Sequence, residues 1–184
     1  MAEREASPRK PLSSRGPMLI RPEKESDRDA VFAVNKSAFI TPAEATLVDV
    51  LRDEARPVVS LVAEENGKVV GHIMFSPVFL SGHPDLNGMG LAPLAVAVEH
   101  QRKGIGSALV RAGLEQCRKL GFVAVFVLGH PEYYPRFGFL PSSRFGIDSD
   151  YDVSEEVFMA TELEPGALSG KKGRVKFHAA FSNL

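Results

Sequence analysis

The sequence has little of several features that define common protein classes. It contains one cysteine in 184 residues, so no disulfide can form within the chain, which fits a reducing compartment. Its longest apolar runs, residues 91–98 and 122–128, are far too short to span a bilayer. The formal net charge is −1, which provides no global field to attract nucleic acid. We therefore expect a soluble, cytoplasmic protein that binds neither nucleic acid nor a membrane.

The N-terminal segment differs in composition from the rest of the chain. Residues 1–17 carry charges, serine and proline but no apolar core, so they do not form a secretory signal. We expect a disordered tail there. The remaining residues, 18–184, have the length of a single domain, and the chain is 44% hydrophobic and 24% charged, as globular domains are.

Strand and helix patterns alternate along residues 18–184. Residues 91–98, 102–120 and 122–128 read as strand, helix and strand, which predicts a right-handed βαβ unit with two parallel strands. The other predicted elements are a strand at 18–22, helices at 26–39 and 41–54, a hairpin of 58–65 and 68–80 around Asn66-Gly67, and strands at 156–163 and 174–181. This order predicts a fold of the α/β (α+β) type with a mixed sheet.

A glycine-rich turn links the predicted strand 91–98 to its helix. The stretch VEHQRKGIGSALV leaves free backbone N–H groups at a helix N-terminus, and Gly104 and Gly106 place no side chain in front of them. Arg102 and Lys103 add positive charge. The P-loop pattern is absent, and the dinucleotide fingerprint fails at Leu109, where its third glycine would stand. The turn therefore predicts an anion site, most plausibly for a phosphate or pyrophosphate.

Two motifs at matching spacing carry a family resemblance. The stretch QRKGIG resembles the Q/R-x-x-G-x-G/A element of the GNAT superfamily of acyl-CoA-dependent N-acetyltransferases, and YYPRFGF resembles its Y-x-x-x-G-F element. Together with TPAEATLVDVLR and GRVKFHAAF, they are similar to one bacterial branch of that superfamily. The resemblance implies a GNAT-like fold for residues 18–184, with about six to seven strands in a central sheet and helices on both faces.

The resemblance implies that acetyl-CoA is the co-substrate and that an acetyl group passes directly to a primary amine of a small molecule or protein. Backbone groups near Ala97 and Val98 would hold the thioester and pantetheine, and the amides of 102–107 would hold the pyrophosphate. The implied cofactor-binding residues are Leu94, Ala95, Val96, Ala97, Val98, Gln101, Arg102, Lys103, Gly104, Ile105, Gly106, Ser107 and Tyr134. Val98 stands where many relatives carry proline, and a β-bulge could open the strand without it.

Two residues are candidates for proton transfer. Tyr134 lies four residues before Gly138, where the family carries its general acid, and this spacing favours it over Tyr133. Glu44 is the leading candidate for the base that receives the amine proton. The alternative for Glu44 is a capping box with Thr41, and His130, at the end of a strand, is a second candidate base.

Other functions compatible with the same motifs stay open. A non-catalytic acyl-CoA sensor or regulatory module would keep the glycine turn and could dispense with Tyr134. A nucleotide or RNA binder is disfavoured by the failed fingerprints and the lack of an aromatic-basic patch. The sequence predicts no metal site, a core position for Cys117, and either a monomer or a homodimer.

Overall fold

Three α-helices and ten strands make up the fold of residues 16–184. The computed structural model describes residues 16–184, so residues 1–15 of the predicted tail lie outside the described part. The helices are α1 (Arg28–Ala38), α2 (Ala43–Glu54) and α3 (Ile105–Lys119). The strands are β1 (Leu19–Pro22), β2 (Val59–Glu65), β3 (Lys68–Pro77), β4 (Phe79–Leu80), β5 (Gly88–Val96), β6 (Ala124–Leu128), β7 (Leu140–Pro141), β8 (Ile147–Ser149), β9 (Phe158–Glu162) and β10 (Gly173–Lys176).

The strands form two sheets. Seven lie in the order β1-β2-β3-β5-β6-β9-β7, and a smaller sheet has the order β4-β10-β8. The main sheet is mixed, because β5 and β6 run parallel whereas the β2–β3 hairpin and the β6–β9 pair are antiparallel. The seven-stranded sheet and the parallel β5–β6 pair confirm the predicted fold; the smaller sheet was not predicted.

Helices cover both faces of the main sheet. Along β2 and β3, Leu61 and Ile73 pack with Leu109 of α3, whereas Val62 and Met74 pack with Leu47 of α2. Because successive strand residues point to opposite faces, α3 lies on one face and α1 and α2 lie on the other. Among residues 16–184, no helix is both long and apolar enough to cross a bilayer.

Several predicted elements have different boundaries in the structure; the strand predicted over 91–98, for example, is Gly88–Val96. The helix predicted from Arg102 begins at Ile105, because Arg102 and Gly104 have left-handed φ angles of 59° and 82°. The strand predicted over 68–80 divides at Val78, and its second part joins the smaller sheet. The strand predicted over 174–181 ends at Lys176 and is followed by a 3-10 helix, Ala179–Asn183.

Packing between α3 and the sheet can be tested at Gly113. A Cβ atom there would lie 2.3 Å from Cε2 of Phe75, a fully buried ring. Alanine favours a helix by about 1 kcal/mol over glycine, but overpacking a rigid core costs about 1–3 kcal/mol. We expect Gly113→Ala to lower the free energy of unfolding, measured by urea denaturation.

Gly88→Ala is the matched control for that measurement. A Cβ at Gly88 would meet its nearest side chains, Phe126 and Val78, at 3.4 Å, an ordinary van der Waals distance. We expect Gly88→Ala not to lower the free energy of unfolding, because no neighbour is overpacked and glycine inside a strand costs about 0.5–1 kcal/mol relative to alanine. A Gly113→Ala protein as stable as Gly88→Ala would contradict the packing described for α3.

Candidate functional site

The two central parallel strands separate partway along the main sheet. Hydrogen-bonded pairing between β5 and β6 covers only Gly88–Gly90 and Ala124–Phe126. Beyond these residues β5 stays paired with β3, and β6 stays paired with β9. A gap therefore opens between β5 and β6 on the carboxyl side of both strands, where ligands bind in many open α/β sheets.

A β-bulge shapes β5 at the start of this gap. Ile73 pairs with Leu94 and Phe75 pairs with Leu91, so β5 carries one more residue than β3 between these pairs. The extra residue lies at Ala92-Pro93, upstream of Val98, where we expected an opening of the strand. Bulges bend a strand and re-aim its backbone.

The register of β5 determines which of its N–H groups face the gap. The Ala97 N–H donates to the Val70 carbonyl of β3 at 2.9 Å, and His72 pairs with Ala95 in the same register. Hydrogen-bonded pairs alternate along an antiparallel ladder, so Leu94 and Val96 turn their backbone groups away from β3. The Ala97 N–H is used within the sheet, so of the backbone groups expected near Ala97 and Val98 to face a ligand, that one is already paired.

The glycine turn presents a row of backbone donors at the start of α3. The first helical hydrogen bond runs from the Ala108 N–H to the Gly104 carbonyl at 3.0 Å. Within residues 16–184, the N–H groups of 102–107 donate to no backbone carbonyl. Gln101 fixes the turn to β5, because its Nε2 donates to the Val96 carbonyl at 3.0 Å. This arrangement can hold an anion through main-chain N–H groups and the helix dipole.

Two adjacent tyrosines stand beside this turn. The Tyr133 hydroxyl lies 3.5 Å from Ser107 Oγ, and the Arg136 guanidinium stacks over the Tyr133 ring at 4.6 Å. The Tyr134 ring meets Tyr133 edge-on at 5.1 Å and is 7% exposed. It packs tightly against Gly129, where a Cβ would lie 2.2 Å from Tyr134 Cε2.

The Tyr134 hydroxyl stays protonated across the neutral pH range. Burial raises its pKa above the ordinary value, and the neighbouring Tyr133 raises it further. The hydroxyl has no hydrogen-bond partner among the described residues, and Tyr134 lines the gap cavity described below. It is therefore a proton donor available to a bound molecule.

Glu44 does not form the capping box that was its alternative role. The N-cap of α2 is Pro42, and the Thr41 Oγ1 accepts only a 3.3 Å hydrogen bond from the Ala43 N–H. The Glu44 Oε2 atom is buried and has no hydrogen-bond partner in the described part of the chain. A proline before Ala43 cannot donate the backbone N–H that the box requires.

His130, the second candidate base, and two buried residues, His72 and Cys117, occupy different environments. His130 is exposed at the end of β6, and its carbonyl accepts from the Tyr133 N–H at 3.0 Å. His72 is fully buried, with Nδ1 at 3.0 Å from Asn35 Nδ2 and Nε2 at 2.9 Å from Ser60 Oγ. Burial raises the pKa of the Cys117 thiol to about 12, in keeping with a core position. Residues 16–184 contain no cluster of three or more potential metal ligands.

One cavity of about 1040 Å³ brings these features together. The candidates that line it are Glu44, Leu94, Val96, Gln101, Arg102, Gly104, Ile105, Gly106, Ser107, His130 and Tyr134. Ala95, Ala97, Val98 and Lys103 are not among its lining residues; the Lys103 Nζ instead donates to the Glu99 carbonyl at 2.6 Å. Sequence reasoning did not assign Phe39, Leu47, Pro93 and Arg136 to the site; Leu47 and Arg136 lie inside the quoted motif stretches, but at positions to which the motifs give no role.

A family model and curated relatives match most of this chain. The model of the acetyltransferase (GNAT) family matches residues 28–139. The N-acetyltransferase YjhQ of Escherichia coli is 45% identical over 155 residues, which are 79% of this chain and 86% of YjhQ. The N-acetyltransferase YhbS of Escherichia coli is 36% identical over 168 residues, which are 91% of this chain and 100% of YhbS.

Two solved structures resemble this one over about nine-tenths of the chain. The crystal structure of Escherichia coli YhbS in complex with CoA superimposes with a TM-score of 0.86 at 35% identity, covering 91% of this chain and 93% of that one. A GNAT family acetyltransferase from Brucella melitensis in complex with acetyl-CoA has a TM-score of 0.74 at 35% identity, with coverage of 89% and 97%.

The glycine turn can be tested with a matched pair of substitutions. Gly104 and Gly82 have nearly equal φ angles, 82° and 79°, and neither has an atom within 4 Å of an added Cβ. Valine at either position imposes the same backbone strain. We expect Gly104→Val to weaken CoA binding at least tenfold, measured by calorimetry, because its side chain stands in front of the free N–H groups.

Gly82→Val controls for the backbone strain. It lies in the loop before β5, outside the residues that line the cavity. We expect it to lose a similar amount of thermal stability and to keep the wild-type affinity for CoA. Equal CoA affinity in the two variants would show that the turn at Gly104 is a structural corner only.

Proposed function

This chain belongs to the GNAT family of acetyltransferases, and on that premise we propose that it transfers an acetyl group from acetyl-CoA to a primary amine. The observation that carries the proposal is the single cavity in which three features meet. These are the donor-rich turn before α3, the unpaired backbone of β5 and the hydroxyl-bearing Tyr134. Each feature matches one requirement of acyl transfer from a long, phosphate-bearing thioester.

The main chain binds the co-substrate in this proposal. The N–H groups of residues 102–107 hold the pyrophosphate, with Arg102 adding positive charge at the rim. Leu94 and Val96 offer their outward backbone groups to pantetheine and to the thioester oxygen. Preorganised donors that face a developing oxyanion are typically worth about 3–4 kcal/mol of barrier lowering.

Tyr134 supplies the proton that the leaving group needs. The amine nitrogen forms a bond to the thioester carbon, and the carbon–sulfur bond then breaks to release a thiolate. Tyr134 donates its proton to that sulfur and is reprotonated from solvent. Support for this role comes from its buried ring, its raised pKa and its hydroxyl without a partner among the described residues.

Glu44 receives the proton of the amine. An alkylamine with a pKa near 10.4 is almost wholly protonated at pH 7, and its free base costs about 4.6 kcal/mol to populate. The Glu44 Oε2 atom, buried at the cavity and without a partner in the described chain, supports this assignment. His130 is exposed and offers no comparable arrangement.

The acid role of Tyr134 predicts a selective loss of turnover. We expect Tyr134→Phe to lower kcat by at least about 10²-fold, the usual contribution of a general acid, and to change the Kd of acetyl-CoA less than twofold. Because the pKa of Tyr134 is raised, wild-type kcat should show no loss from its ionisation below about pH 10. Steady-state assays measure kcat, and calorimetry measures the Kd of acetyl-CoA.

Tyr133→Phe is the matched control for this substitution. This substitution removes the neighbouring hydroxyl, which lies near Ser107 and is not the proposed proton donor. We expect its kcat to stay within about threefold of wild type. Wild-type turnover in Tyr134→Phe would remove Tyr134 from the mechanism, and binding without turnover in wild type would indicate an acyl-CoA sensor instead.

The base role of Glu44 predicts a pH-dependent defect. We expect Glu44→Gln to lower kcat/KM for an amine at pH 7, and we expect the ratio of wild type to variant to shrink as the pH rises to 9.5. The reason is that more of the amine is then unprotonated in solution, so the rate of acetyl transfer depends less on a protein base. A ratio that does not change with pH would show that Glu44 does not accept the proton.

A further inference from the structure

The gap cavity has two chemically distinct ends. The end nearest the glycine turn carries Arg102, Arg136 and the free N–H groups of α3. The opposite end is formed by α2, by the residue after α1 and by the bulge of β5. Its lining residues are Phe39, Glu44, Leu47, Ala92 and Pro93, and Leu184, which follows the 3-10 helix packed on α2, lines the same cavity.

The side chains of the second end are apolar apart from one carboxylate. Leu47 is buried, Phe39 is half-buried, and Ala92 packs against the same hydrophobic cluster as Leu47. Glu44 is the one acidic side chain that lines the described cavity, and its Oε2 atom has no protein partner among residues 16–184. A buried carboxylate oxygen is stable only if it gains a donor.

The distribution of cations also restricts what the acceptor carries. The basic side chains that line the cavity are His100, Arg102, His130 and Arg136, which lie on the glycine turn or after β6. His100 faces Glu65, with Nδ1 at 3.0 Å from Oε2. Neither α1 nor α2 contributes a cation to the cavity lining within the described chain. An acceptor carboxylate or phosphate next to the amine would therefore lack a partner at this end.

We propose that the acceptor is a monoamine on an apolar alkyl or aryl body, without a carboxylate beside the amine. This inference rests on the proposed acetyl transfer and defines the substrate class of the same site. The ammonium group pairs with Glu44, and the apolar body contacts Phe39 and Leu47. A second ammonium would enter a region whose side chains are apolar apart from Glu44, and it would lose hydration there.

Matched amine pairs test the proposal. We expect kcat/KM for butylamine to exceed that for 1,4-diaminobutane at least tenfold, and that for phenethylamine to exceed that for phenylalanine at least tenfold. Each added methylene from butylamine to hexylamine should raise kcat/KM about two- to fourfold, as burial of a CH₂ group does. Calorimetric titration of each amine into the protein saturated with CoA should rank the amine affinities in the same order, without turnover.

Two substitutions test whether Phe39 forms an apolar wall at the second end of the cavity. We expect Phe39→Ala to raise the KM for phenethylamine at least fivefold and to leave the Kd of acetyl-CoA unchanged. Phe79→Ala is the control, because Phe79 is a half-exposed phenylalanine of the smaller sheet that does not line the cavity. Melting temperatures of both variants establish that each is folded. A KM raised equally in both variants would overturn the assignment of the wall.

The outcomes separate the two levels of the proposal. Faster turnover of diaminobutane or of phenylalanine than of its monoamine partner would overturn the acceptor class and leave acetyl transfer intact. Tight binding of acetyl-CoA without transfer to any amine, including spermidine, amino acids and lysine peptides, would overturn acetyl transfer itself. Selective turnover and CoA-dependent binding of the monoamines would support both.

Discussion

The site depends on an interruption of hydrogen bonding in the middle of the main sheet. A parallel strand pair inside a sheet normally continues to the strand ends, because an unpaired backbone group away from water costs free energy. Here β5 and β6 share only three residue pairs before they diverge. The N–H groups of Leu94 and Val96 are thereby left for a ligand that can itself supply carbonyl oxygens. The donor-rich glycine turn, Tyr134 and Glu44 all line this opening.

The β3 side of the opening is held in place by a buried polar chain. His72 of β3 lies between Asn35 of α1 and Ser60 of β2, and Ser60 donates to Glu23, which is paired with Arg52. Burial and the charge of Arg52 lower the pKa of His72 to about 3, so the ring stays neutral at physiological pH. Since Asn35 Nδ2 also donates to the Val31 carbonyl, His72 accepts at Nδ1 and donates from Nε2. These bonds link α1 to the strand that supports β5.

Sequence reasoning identified the parts of the site that are encoded by local motifs. The glycine turn, the parallel strand pair and the tyrosine segment each depend on residues close in the chain, and their positions follow from turn and helix chemistry. The donors on β5 could not be assigned in this way, because the choice between Ala97 and Val96 depends on the register with β3. Glu44 was ambiguous for a related reason: the same residue spacing fits a capping box and a side chain aimed at a cavity. The apolar wall at Phe39 depends on long-range packing alone.

The raised pKa of Tyr134 is compatible with a role as acid. In water a tyrosine near pKa 10 and a thiol near 8.5 differ by about 1.5 units, or about 2 kcal/mol against proton transfer. Burial disfavours the phenolate that Tyr134 would become, and a thiolate held in the same cavity would be disfavoured for the same reason. Because both anions would lose hydration in one cavity, their pKa values rise together and the difference between them stays modest.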